Sequence, residues 1–368
     1  MNFSKVRSLA SLGVAITASF ASLASAAQEG PDPLAGEQWN LHDAVAGARV
    51  GDAWKVTRGE GSVIAIIGSG ITSHEDLDAH VLPGYDFISD HFFSRDGDGR
   101  DDDAQDEGDW REGGSECGLP GPRSSTWDGT HVAGIAMAVG DNGAGIAGVA
   151  PRAKLLPVRS MSYCGGTLQD VVDGITWATG GQVPGVPDNR NPARIVQMQT
   201  GAYGPCPVPM AEAIDEARRR GAVIITGAAN DADDAALANP ANCPGVIVVA
   251  ASDRRGGLAR YSSYGPIVSL SAPGGSGDAD ARNYIVTTYD EGRTVPTRGI
   301  YQVVSGTGVA AAHVSGTAAL MLSAKPSLSS DDVTRLLVSS TRTMPVACRR
   351  PCGSGLLDTS AALTRALE

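Results

Sequence analysis

The run Thr307-Gly308-Val309-Ala310-Ala311-Ala312-His313-Val314-Ser315-Gly316, continuing through Ala318 and Leu320 to Lys325, consists almost entirely of apolar or small residues. A surface helix keeps one polar face. This stretch has none, so it predicts a helix over 307–325 buried at the centre of a domain. Around it, β-branched runs alternate with helical patterns. Residues 62–67, 194–198, 222–226 and 245–250 read as buried strands. Residues 167–175 and 210–217 carry apolar side chains at helical spacing, and Gly221 follows the second as a stop. Ser329 caps a further helix whose first turn holds Asp331 and Asp332. The alternation implies an α/β domain built on a parallel sheet, and neither an internal repeat nor a linker divides it.

Composition narrows the function classes. The 368 residues include 42% hydrophobic and 19% charged side chains, enough apolar chain for a sizeable core. With 41 acidic against 29 basic residues the net charge is −12, which repels phosphate backbones, and only 5% of residues are aromatic. Nucleic acid is therefore excluded as a partner. Lys5 and Arg7 precede an uncharged run from Ser8 to Ala27 that closes on Ala24-Ser25-Ala26-Ala27. That is the form of a secretory signal peptide over 1–27, and it predicts a secreted or periplasmic protein. An uncleaved membrane anchor is the other reading of the run, and the small-residue close favours cleavage. Six cysteines in an exported chain predict three disulfides, although spacing does not choose the pairing beyond the small loop that Cys348 and Cys352 could close. The stretch Asp96-Gly97-Asp98-Gly99-Arg100-Asp101-Asp102-Asp103, with Asp106, Glu107 and Asp109 behind it, offers hard oxygen ligands at spacings that suit Ca²⁺. A solvated charge run is the alternative.

Three segments carry the chemistry: Ile66-Ile67-Gly68-Ser69-Gly70-Ile71, Asp128-Gly129-Thr130-His131-Val132-Ala133-Gly134, and Ser305-Gly306-Thr307-Gly308 leading into Val309-Ala310-Ala311-Ala312-His313. In this order they resemble the subtilisin-like serine proteases, the subtilases. The resemblance extends through Asn142 to Pro151, Ala228-Ala229-Asn230-Asp231 and Tyr261-Ser262-Ser263-Tyr264-Gly265. It implies a three-layer α/β fold, a central parallel sheet flanked by helices, over residues 28–368 without a prodomain between leader and peptidase domain.

The family pattern reads Asp-Ser/Thr-Gly, His-Gly-Thr-His and Gly-Thr-Ser-Met-Ala-Ala-Pro-His. The resemblance thus places the catalytic Asp at Gly68, the His at Asp128 and the Ser at Gly308. Attack on a peptide carbonyl needs a nucleophile, a base and a group that orients the base. Glycine supplies none of these. Loss of the nucleophile or base alone costs about 10⁶-fold in kcat. His131 and His313 match family histidines other than the base and are expected to be scaffold.

Asn230 matches the oxyanion Asn, while Ala229 replaces the family Gly before it and Gln199-Thr200-Gly201 stands in the substrate strand. The expectation is an inactive pseudoprotease that accepts a peptide or protein ligand in a vestigial cleft, as a monomer with no membrane contact after leader removal. The rival is an active serine endopeptidase with other catalytic residues. The resemblance also favours calcium on Asp96, Asp98, Asp101, Asp103 and Asp106, and pairs Cys117 with Cys164, Cys206 with Cys243 and Cys348 with Cys352.

Overall fold

The protein is described by a computed structural model covering residues 30–113 and 121–368. The leader over 1–27 and Cys117 lie outside the described residues. In chain order the strands are β1 (Val63–Gly68), β2 (Tyr85–Asp86), β3 (Lys154–Arg159), β4 (Ile195–Met198), β5 (Ala202–Tyr203), β6 (Val223–Gly227), β7 (Ala238–Asn239), β8 (Val246–Ser252), β9 (Leu270–Pro273), β10 (Ile285–Asp290) and β11 (Gly299–Val304). The helices are α1 (Trp39–His42), α2 (His91–Ser94), α3 (Asp128–Met137), α4 (Leu168–Ala178), α5 (Val208–Arg219), α6 (Thr307–Ala324), α7 (Ser330–Ser339) and α8 (Thr359–Leu367).

Seven strands form one sheet in the order β2-β3-β1-β4-β6-β8-β9, and every neighbouring pair is parallel. A parallel sheet must be covered on both faces, and period-two alternation along β1 shows how. Ile64 and Ile66 pack in one cluster with Val132 and Ile135 of α3, Val309 and Leu320 of α6, and Leu337 of α7. Ala65 and Ile67 face the other way, against Val171 and Ile175 of α4 and Ile214 of α5. The result is three layers, as the sequence predicts. Four of the strands were legible as β-branched runs to within two residues at either end.

Helix α6 is buried almost from end to end, again as its composition predicts. Two polar residues in its middle are tolerated because they bond back along the helix: Ser315 Oγ donates to Ala311 O at 3.0 Å and Thr317 Oγ1 to His313 O at 2.8 Å. His313 has both ring nitrogens engaged, Nδ1 with Val309 O at 2.9 Å and Nε2 with the Asn40 amide at 2.8 Å. Burial lowers its pKa to about 4, so it is a neutral scaffold residue. The sequence also anticipates α7, where Ser329 and Asp332 form a reciprocal capping box.

Two disulfides are described, Cys206–Cys243 and Cys348–Cys352, both as the resemblance implies. Cys164 is also disulfide-bonded.

Candidate functional site

In open α/β sheets, ligands bind beyond the carboxyl ends of the strands. Here Gly68 closes β1, Gln199 follows β4, and Ala229 and Asn230 follow β6, while Asp128 opens α3 and Gly308 lies in the first turn of α6. These ends converge. A cleft of about 690 Å³ is lined by Asp128, Gln199, Thr200, Gly201, Ala229, Asn230, Thr307 and Gly308, among others. The sequence-selected residues therefore meet in one place, with the exception of Gly68.

Gly68 is shut off by Gln199, whose Cβ lies 3.0 Å from where a Cβ on Gly68 would stand. The same side chain then crosses the floor of the cleft. Its Oε1 lies 2.4 Å, and its Nε2 3.1 Å, from the place of a Cβ on Gly308. One glutamine thus lies against both glycine positions. Its Nε2 is buried without a hydrogen-bond partner, as is Oε1 of Gln197, whose Nε2 donates to Gly308 O at 3.1 Å. Unpaired buried amides are costly, and two of them here mark a polar floor that lacks a complement.

The opposite wall is fully satisfied. Asn230 Oδ1 accepts from the Thr307 amide at 2.9 Å and from Thr307 Oγ1 at 3.1 Å. Both bonds fall on the oxygen, which leaves the Nδ2 donors facing the cleft. Ala229 sits at φ +80°, a left-handed backbone that costs a residue with a Cβ roughly 1–2 kcal/mol. The sequence predicts only that its methyl disturbs substrate approach; the strained backbone becomes visible in the structure.

Asp128 is 42% exposed at the start of α3, and its Oδ1 lies 3.7 Å from Nε2 of His131. Nδ1 of that imidazole is buried without a partner, and the ring stacks on Tyr289 at a centroid distance of 6.4 Å. The turn that holds Asp128 depends on two glycines. A Cβ on Gly129 would lie 1.9 Å from Gly70 O, and Gly70 itself has φ +94°.

The five aspartates expected at calcium are not gathered into one shell, and among the described residues no group of three or more His, Cys, Asp or Glu is placed to hold a metal ion. Asp106 is buried and accepts from Ser69 Oγ at 2.6 Å and from the Gly108 amide at 2.9 Å. Asp103 Oδ1 accepts from the Gln105 amide at 3.0 Å. Asp96 is paired with Arg159 at 2.7 Å. Asp98 stands beside Asp101 and Asp96, and its pKa is raised by desolvation and then by those two carboxylates.

Comparison with known proteins agrees with this architecture. The family model described as the subtilase family matches residues 59–355. An extracellular protease of Xanthomonas campestris pv. campestris is 44% identical over 339 residues, covering 92% of this chain and 57% of that protein. An extracellular basic protease of Dichelobacter nodosus is 40% identical over 345 residues, 91% of this chain and 56% of that protein. The chain thus spans little more than half the length of these two relatives. Among solved structures, one described as proteases from Pseudoalteromonas arctica superposes with a TM-score of 0.89 at 42% identity, over 92% of this chain and 99% of that one. Matched through its sheet, its helices and its cleft, the chain belongs to the subtilase family.

Proposed function

We propose that this protein is an exported subtilase-fold binding protein, which accepts an extended peptide in its cleft and does not hydrolyse it. The observation that carries this reading is Gly308, which bears no side chain and has the Gln199 amide lying against the place of its Cβ. No hydroxyl stands at position 308, and the carboxylate at the cleft, Asp128, is 42% exposed at the start of α3. Peptide capture needs less. Gly201 is exposed, and Thr200 and Gly201 make no backbone hydrogen bond with the rest of the described chain, so an incoming strand can pair there. Asn230 Nδ2 would meet a peptide carbonyl.

A second reading, an active endopeptidase, is favoured by the relatives named as proteases. One experiment separates the two: fluorophosphonate labelling and casein turnover of the purified protein, beside a peptide-binding screen. Binding without labelling or turnover is expected. Labelling of any Ser or Thr in the cleft returns the protein to the hydrolases.

Export rests on the form of residues 1–27 and on the relatives named as extracellular. Calcium in the Asp96–Asp106 segment is proposed from the family resemblance: Asp98 has Asp96 and Asp101 beside it, while Asp96, Asp101, Asp103 and Asp106 already accept from backbone amides, Arg159 or Ser69, and no three carboxylates are gathered to hold an ion among the described residues. A cation bound only by the folded chain stabilises it by mass action, so chelation should lower the melting temperature and added calcium should restore it. An unchanged melting curve under chelation would assign the segment to solvated charge.

A further inference from the structure

Outside the cleft, in a chain of net charge −12, four arginines gather around one cavity of about 400 Å³: Arg255, Arg260, Arg349 and Arg350. Asp278 acts on Arg255 from outside the lining, and among the lining residues the one carboxylate is Asp253. It is already spent, since Arg255 grips it through Nε at 3.1 Å and Nη2 at 2.7 Å. Arg260 donates one Nη to Gly277 O. The Arg350 guanidinium lies over the Tyr264 ring, 4.2 Å from its centroid. Arg349 has no partner among the described residues.

The loop that carries Arg349 and Arg350 is rigid. Cys348–Cys352 closes it, the Gly265 amide holds Pro351 O at 2.9 Å, and Ser271 Oγ holds Cys352 O at 2.8 Å. Guanidinium forks are suited to carboxylates, which they engage with paired charge-assisted bonds. Between the arginines lies an apolar floor of Leu258, Val346 and Ala347. A bare inorganic anion has no use for such a floor, and the cavity is several times larger than one. The methylenes of a glutamate side chain would cover it.

We propose that this cavity is a docking site for an acidic peptide segment, with carboxylates on the arginine forks and aliphatic stems on the floor. It lies beside the cleft, because Ala232 lines the cavity while Asn230 and Asp231 line the cleft, but it depends on no cleft residue.

The test is fluorescence anisotropy of fluorescein-labelled octaglutamate with the full chain, beside octaglutamine. The glutamate probe is expected to bind, and to weaken as salt rises. Arg349→Ala/Arg350→Ala, both exposed positions, should weaken it at least about tenfold while the disulfide and the melting curve are kept. Gly201→Trp, which blocks the cleft, should leave it unchanged. Equal binding of octaglutamine, undiminished binding by the arginine variant, or loss of binding in Gly201→Trp would each overturn the proposal. So would displacement by inorganic phosphate at concentrations equal to the peptide, which would make this a small-anion site.

Discussion

The two walls of the cleft differ in what their residues do for the fold. On one wall Asn230 holds the start of α6 through Thr307, and His313 behind it ties α6 to Asn40. On the other, Gly68 and Gly308 bear nothing, and Gln199 lies across the gap. Asn230 and His313 join elements through their polar groups, whereas Gly68 and Gly308 offer none. Each wall can therefore be challenged separately.

The largest effect should come from rebuilding the altered wall. Restoring Gly68→Asp, Asp128→His and Gly308→Ser puts the new serine Cβ 2.4 Å from Gln199 Oε1 and the new aspartate Cβ 3.0 Å from Gln199 Cβ. That variant should label poorly or not at all with fluorophosphonate. Adding Gln199→Ser removes the amide from beside position 308, leaves only the Cβ contact at position 68, and should bring labelling and peptide turnover. A complete triad is worth up to about 10⁶-fold in kcat, less about 10²-fold for each ångström of misplacement. If the three-residue variant is as reactive as the four-residue one, Gln199 moves aside freely and the contrast between walls is weaker than drawn.

The kept wall can be read through pH. His313 titrates near 4 when folded against an ordinary value of 6.5 when unfolded, because burial disfavours its charged form. Between those values the unfolded chain binds the extra proton, so the contribution is fully present above 6.5 and is lost as pH falls toward 4. Its full size is roughly 3 kcal/mol. His313→Gln should flatten the acid limb of a stability-against-pH profile measured by denaturant melts. An unchanged limb would mean that other groups carry it.

The smallest effect lies at the seam. Ala229→Gly relieves the left-handed strain at φ +80° and adds back the flexibility of glycine in the unfolded chain. The net gain should be about 0.5–1 kcal/mol, visible as a higher denaturation midpoint. A loss of stability there would show that the Ala229 methyl packs usefully.

Much of this was legible before any coordinates. Strands β1, β4, β6 and β8 announce themselves as β-branched runs, and α6 by having no polar face. Strand β3 escaped because Pro157 interrupts it; on its outer side β2 pairs only Val158 and Arg159, so the missing amide falls where no ladder runs. The β10–β11 hairpin mixes polar and apolar residues along an exposed edge, which blurs its alternation. The cleft positions were found by motif, but motif order could not show that Gln199 spans from the end of β1 to the start of α6. That depends on a side-chain path between segments distant in sequence. The arginine cavity was invisible for the same reason, since its charges come from separate loops.

The bridging glutamine also bears on how such a chain could change under selection. A serine Cβ at 308 would meet the far end of the Gln199 side chain and push it aside, while an aspartate Cβ at 68 would ask Gln199 Cβ to give by a few tenths of an ångström, so either change alone displaces the same residue. If the protein binds without cleaving, as proposed, a route back to proteolysis runs through position 199 as well as through 68, 128 and 308.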